Sequence, residues 1–194
     1  MQAKPHTSEA SGLPPDRQRR LISGVLQKDR KATAEFVSLC ADAAYPFVRR
    51  RLMPRTELVE DLMQEILVAA WKNLSNFRGD AELRSWILGI ARHKVEDYYR
   101  KKIRETDGKA EESEIAEVAT VLEIEERLDS QSQHAKVQKV LADLPEAYGV
   151  ALLWRYRDDR SLREMAELTG KTEKAIERLL ARARDSFRRR WNHD

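Results

Sequence analysis

Four rings, Phe77, Trp86, Tyr98 and Tyr99, fall among the cations Arg78, Arg84, Arg92, Lys94 and Arg100. Aromatics interleaved with positive charge suit a single-stranded nucleic acid, because a base stacks on a ring while the cations hold the backbone. Trp86 and Tyr98, each taken alone, read first as core residues. The loop residues Asn76, Phe77 and Arg78 are the better candidates for contact, since loops carry function. A second group, Lys174, Glu177 and Arg178, lies at the start of a basic helical run. Arg matches the guanine edge and Glu accepts from cytosine N4, so these side chains suit the reading of base edges. Arg155, Lys171, Arg182 and Arg184 are placed for phosphates, which position a protein on DNA without specifying sequence. A third group, Glu60, Asp61, Gln64 and Glu65, is acidic. By itself it is an ordinary solvated helix face; next to cationic surfaces it could hold a basic protein. No nucleophile–base pair is visible, and His6, His93, His134 and His193 are too scattered for metal ligation. Catalysis, a metal and a cofactor are therefore not expected.

The elements that must position these groups are helices. Leu58, Leu62, Ile66 and Ala69 recur at helical spacing behind the acidic side chains, and Leu83, Ile87, Ile90, Ala91, Val95 and Tyr98 do the same behind the cations. Between them, Asn73 to Asp80 is a turn-forming run. An acidic and a basic helix are thus expected back to back. Upstream, one helix should begin at Arg17 with Leu21, Ile22, Val25 and Leu26 inward. A second should carry Phe36, Val37, Leu39, Cys40, Ala44, Phe47, Val48 and Leu52, ending at Pro54. Thr56 is the expected N-cap of the acidic helix.

The 194 residues are 36% charged, with 7 Gly and 6 Pro, a mixture that favours helix over strand. Net charge is only +3, so its uneven distribution says more than its sum. A single cysteine, Cys40, cannot form an internal disulfide, which points to an intracellular, cytoplasmic protein. No apolar run approaches the ~20 residues that span a bilayer, so membrane insertion is not expected.

The expected fold class is all-α, with two small helical domains. Residues 1–16, rich in Pro, Ser and Gly, read as a disordered leader. Residues 17–102 form the first domain. Residues 103–136 read as a flexible linker, with a frayed helix around 115–128; Ile103 to His134 holds ten acidic and three basic residues. Residues 137–194 form the second domain. There, Pro145 suits a helix first turn, Val150, Leu152, Leu153 and Tyr156 continue that helix, and Ser161-Leu162-Arg163-Glu164 fits a capping box. Gly170 suits the following tight turn, and Thr172 the cap of a final helix with Ile176, Leu179, Leu180, Ala183, Phe187 and Trp191 inward. A short helix, a Gly turn and a longer basic helix make a helix-turn-helix.

Together these motifs resemble the extracytoplasmic-function group of bacterial RNA polymerase sigma factors. The likeness rests on Glu60-Asp61-Leu62-Met63-Gln64-Glu65, Ala70-Trp71, Phe77-Arg78-Gly79-Asp80, Ser85-Trp86-Ile87, Ile90-Ala91, Leu144-Pro145-Glu146 and the helix-turn-helix closing in Arg182-Ala183-Arg184. It spans about residues 20–102, matching region 2, and 137–191, matching region 4.

The resemblance implies a transcription initiation factor without catalytic chemistry. It implies that Glu60, Asp61, Gln64, Glu65 and Trp71 dock on core RNA polymerase, at the largest-subunit coiled coil, with a further contact at the flap. It implies that Asn76, Phe77, Arg78, Arg84, Trp86, His93, Lys94 and Arg100 open and read the minus-ten promoter element, His93 standing at a base-reading position. Arg155, Lys171, Lys174, Glu177, Arg178, Arg182 and Arg184 would serve the minus-thirty-five element, and an anti-sigma factor is an implied partner. The run Thr172-Glu173-Lys174-Ala175-Ile176-Glu177 departs from the family's usual recognition helix, so base preference does not transfer. On the residues alone, two alternatives stay open: a DNA-binding regulator whose first half dimerises or senses a ligand, and a helical interaction scaffold.

Overall fold

Alternation is missing from the sequence, and the described residues contain no strand. The computed structural model describes residues 13–108 and 131–193, and every regular element in them is helical. The chain is all-α. The leader, apart from its last residues, and the helix expected around 115–128 lie outside the described residues.

Helix α1 (Pro15–Leu26) begins two residues earlier than expected, because Pro15 supplies a preset φ at the first helical position and Asp16 meets the positive end of the helix. Leu21 and Val25 are buried as expected, whereas Leu26 is 52% exposed. Helix α2 (Arg30–Leu52) runs through Pro46 without a break. Helix α3 (Val59–Asn73) follows a short 3-10 turn, Thr56–Leu58. Here the sequence reading is corrected: Thr56 lies in that turn, Leu58 is the N-cap residue, and no side chain caps α3. Glu60 and Asp61 in its first turn face the helix's positive end instead. Another 3-10 turn, Leu74–Asn76, leads to α4 (Leu83–Arg104).

In the second half, α5 (Gln131–Asp143) precedes α6 (Glu146–Leu152), whose N-cap residue is Pro145. The helix expected to continue past Leu152 passes into a π-helical stretch, Leu153–Arg157. Helix α7 (Leu162–Thr169) and α8 (Glu173–His193) complete the chain.

These elements form two compact units. The first runs to Arg51 and resumes over Glu57–Lys94; the second takes Leu52–Thr56 and the chain from Val95 onward. The first core is built from Leu21 and Val25 of α1, Phe36, Cys40, Ala44 and Val48 of α2, Leu62 and Ile66 of α3, and Leu83, Ile87 and Ala91 of α4. Burial pushes the Cys40 thiol up to about 12. The second core includes Trp154, 1% exposed, with the Tyr99 ring edge-on at 5.8 Å, and the buried Val140, Met165, Ile176, Leu180 and Ala183. Ile103, expected at the start of the linker, is fully buried within the second unit.

Candidate nucleic-acid interface and acidic docking face

Helix α3 separates its faces cleanly. Val59, Leu62, Met63, Ile66 and Ala70 are buried, whereas Glu60, Asp61, Gln64 and Glu65 are all exposed. Trp71, two residues from the end of α3, keeps 42% of its surface in solvent and meets Phe36 edge-on at 6.3 Å. A large ring left this open is an unusual use of apolar surface. Glu65 also holds Lys94 of α4, with Nζ 3.0 Å from Oε2.

The loop after α3 is anchored at both ends. Leu74 is 1% exposed and pins its start. Gly79, at φ 82°, takes the left-handed turn that brings the chain back toward α4. Between these anchors Asn76 and Arg78 are exposed, and Phe77 is half-buried against Trp86, their rings edge-on at 5.3 Å. The far end of the loop is fixed from α1. Gln18, 7% exposed, accepts a hydrogen bond from the Leu83 backbone N–H at 2.8 Å and donates one to the Ala81 carbonyl at 3.5 Å. Nothing in the sequence distinguished Gln18 from the polar residues around it.

Along α4 the expected nucleic-acid side chains have different surroundings. His93 and Arg92 are exposed and Trp86 is half-buried. Arg84 donates to the Asp42 carbonyl of α2 at 3.1 Å. Arg100 is ion-paired with Asp97, one turn back. Arg100 belongs to the second unit, while Asn76, Phe77, Arg78, Arg84, Trp86, His93 and Lys94 share the first. Of the rings, Tyr99 is core at 1% exposure. The Tyr98 hydroxyl donates to Glu146 of α6. Burial, then that bond to a carboxylate, raises the Tyr98 pKa. Burial alone would raise the pKa of Glu146, but the hydrogen bonds from Tyr98 and Lys102, and the Lys102 charge with Nζ at 2.9 Å, outweigh it and lower it.

The helix-turn-helix is capped as its sequence specifies. Ser161 Oγ accepts from the Glu164 N–H at 3.2 Å, and Glu164 Oε2 accepts from the Ser161 N–H at 2.8 Å. The Ser161 backbone bond is the chief reason the Glu164 carboxyl lies below its ordinary range. Gly170, at φ 71°, ends α7 in the left-handed conformation. Thr172 Oγ1 accepts from the Ala175 N–H at 3.2 Å and so caps α8. On α8, Ile176, Leu179, Leu180, Ala183 and Phe187 are buried, and Lys174, Glu177 and Arg178 are exposed together within the first two turns. The residues expected at phosphates are less free. Arg155 donates to the Arg160 carbonyl at 2.9 Å, Arg184 donates to the Tyr156 hydroxyl at 3.2 Å, and Arg182 and Lys171 are half-buried. A guanidinium has five N–H donors, so one internal bond leaves others available.

Two family models match the chain in the order of its two helical sets: Sigma-70 region 2 over residues 38–105 and Sigma-70, region 4 over residues 134–186. The ECF RNA polymerase sigma factor SigW of Bacillus subtilis (strain 168) is 24% identical over 180 residues, covering 88% of this chain and 95% of SigW. The RNA polymerase sigma factor CnrH of Cupriavidus metallidurans is 27% identical over 177 residues, covering 88% of this chain and 92% of CnrH.

The chain belongs to the sigma-70 family, in its extracytoplasmic-function group.

Among solved structures, that of CnrH in complex with the cytosolic domain of CnrY is similar to this sigma factor. It is 23% identical, covers 93% of this chain and 99% of that one, and gives a TM-score of 0.39. In this sigma factor the region 2 match contains the acidic face, the loop and α4, and the region 4 match contains α7 and the first turns of α8. Helix α1, with Gln18, precedes both matches. Among the described residues no three His, Cys, Asp or Glu side chains converge to hold a metal. No helix among them is long and apolar enough to cross a membrane.

Proposed function

We propose the following division of labour among the residues of this sigma factor, a transcription initiation factor that binds core RNA polymerase and promoter DNA. Glu60, Asp61, Gln64 and Glu65, with Trp71, form the surface that docks on core polymerase. Asn76, Phe77 and Arg78, with Arg84, Trp86, His93, Lys94 and Arg100 of α4, open and read the minus-ten element. Lys174, Glu177 and Arg178 read bases of the minus-thirty-five element, and Arg155, Lys171, Arg182 and Arg184 hold its phosphates. The functional domains run over residues 17–102 and 137–194. The protein does no catalysis itself; binding energy at the loop offsets the few kcal/mol that unstacking a base costs. Work on chromosomal promoters places it in the cytoplasm, and an anti-sigma factor that covers these faces is the expected regulator.

The observation that carries this reading is the exposure of the whole acidic face. Each of Glu60, Asp61, Gln64 and Glu65 is in solvent, while Val59, Leu62, Met63, Ile66 and Ala70 of the same helix are buried. The exposed trio at the start of α8 supports the second half of the reading, since a helix-turn-helix reads DNA with the first turns of its second helix. The test is run-off transcription with purified core enzyme. Transcripts that start at specific promoters only when the protein is added support it; duplex binding with no gain of promoter-dependent transcripts contradicts it.

A further inference from the structure

Gln18 is the one polar side chain of α1 that is buried, at 7% exposure, and both ends of its amide are used. Its oxygen accepts from the Leu83 N–H, the first residue of α4. That N–H has no partner within its own helix, because the first turn of any helix leaves its amides without one. Trp86 makes the earliest bond, to the Glu82 carbonyl. The amide nitrogen of Gln18 reaches the Ala81 carbonyl, two residues before Leu83. A capping role that usually falls to a residue just before a helix is therefore filled from sixty-five residues away. The same face of α1 lines an open groove of about 630 Å³ whose other wall is Phe77, Arg78 and Gly79, with Ile22 and Leu26 on the α1 side.

We propose that Gln18 is a positioning residue for promoter recognition: by capping α4 from α1 it sets where the loop 76–82 holds Phe77 and Arg78. The loop has no secondary structure from Phe77 to Glu82, so its path depends on its anchors. One anchor is buried Leu74, and the other is the Gln18 clasp on Ala81 and Leu83. With the clasp gone, the Leu83 amide would have to turn toward water, and the preceding residues would turn with it. This inference rests on the reading of the loop as the minus-ten contact. It adds that specificity at that element depends on a helix outside the matched region 2.

The test uses the full-length chain with core polymerase on a promoter library randomised at both elements. Gln18→Met keeps the length and removes both hydrogen bonds. Gln18→Glu keeps the acceptor for Leu83, now charged and near the positive end of α4. Gln18→Met should flatten minus-ten preference at least about fivefold and leave minus-thirty-five preference as it was; Gln18→Glu should restore most of the loss. Equal loss at both elements, or a Gln18→Met profile like the parent's, overturns the proposal. If Gln18→Met does not fold, Gln18→Asn, one methylene too short to span both partners, is scored by the same criteria. Phe77→Ala in the same library separates the two levels. If Phe77→Ala leaves minus-ten preference intact, the reading of the loop fails. If Phe77→Ala alters it and the Gln18 variants do not, only the role of Gln18 fails.

Discussion

Glu65 of α3 and Lys94 of α4 are bonded to each other, Nζ to Oε2 at 3.0 Å. One belongs to the surface assigned to polymerase and the other to the surface assigned to DNA. The acidic and basic helices are thus joined by an ion pair at the edge where their faces meet. The pair stays partly solvated, with Lys94 30% and Glu65 61% exposed. Water and salt screen it, so its contribution to stability is small, about 0.2–1 kcal/mol. A double-mutant cycle of Glu65→Ala and Lys94→Ala should return a coupling within that range, measured by chemical denaturation. A much larger value would mean that the pair holds the unit together and is not free for partners.

Arg178 and Arg182 lie one turn apart on α8 and should fail differently. Arg178 is exposed among the residues proposed to read bases, and Arg182 is half-buried. Arg178→Ala should relax preference at one or two positions of the minus-thirty-five element, by about 1–3 kcal/mol per position. Arg182→Ala should weaken binding to all sequences alike and lower the slope of log affinity against log salt by roughly 1. Library binding measured at several salt concentrations distinguishes them.

Ser161 carries the reciprocal cap of α7. Ser161→Ala removes the oxygen that accepts from the Glu164 N–H and should cost about 1 kcal/mol, read as a lower thermal midpoint. Ser161→Thr keeps a hydroxyl that accepts from the Glu164 N–H and donates to its carboxylate, and should recover most of the loss.

Glu146 gives the second unit an acid sensitivity. Although burial opposes it, the bonds from Tyr98 and Lys102 hold the folded-state pKa of Glu146 below its ordinary value. A carboxyl of this kind contributes stability above its unfolded pKa, about 4.3, and loses it as pH falls through the lower folded value. Denaturation of the parent and of Glu146→Gln should therefore differ most at neutral pH and converge in acid. A difference that stays constant down to pH 3 would contradict the assignment.

Periodicity carried most of the fold. The apolar spacing behind Glu60–Glu65 and behind Arg84–Lys94 identified α3 and α4, because a helix must bury one stripe. The helix-turn-helix was legible to the level of single caps, since Ser161, Gly170 and Thr172 act through local backbone chemistry. Thr56 misled because a 3-10 turn can take up the start of a helix without a side-chain cap. Leu26 misled because periodicity assigns a stripe and cannot say how far the partner surface extends. Gln18 was invisible for a deeper reason. Its partners are backbone atoms of residues 81 and 83, and a bond to a distant backbone leaves no trace in side-chain pattern. Tyr98 and Tyr99 look alike in sequence, yet one keeps a partly exposed hydroxyl on Glu146 and the other is core; only packing separates them.

The claim on which the rest depends is that the exposed carboxylate face of α3 grips the polymerase. The most direct measurement is the affinity of core RNA polymerase for the Asp61→Ala, Gln64→Ala double variant, taken beside its thermal midpoint. Both side chains are in solvent, so stability should stay within about 0.5 kcal/mol of the parent. Affinity should fall at least tenfold, and promoter-dependent transcripts should fall with it. A variant that melts like the parent, binds core enzyme as tightly and supports transcription as well would contradict the account.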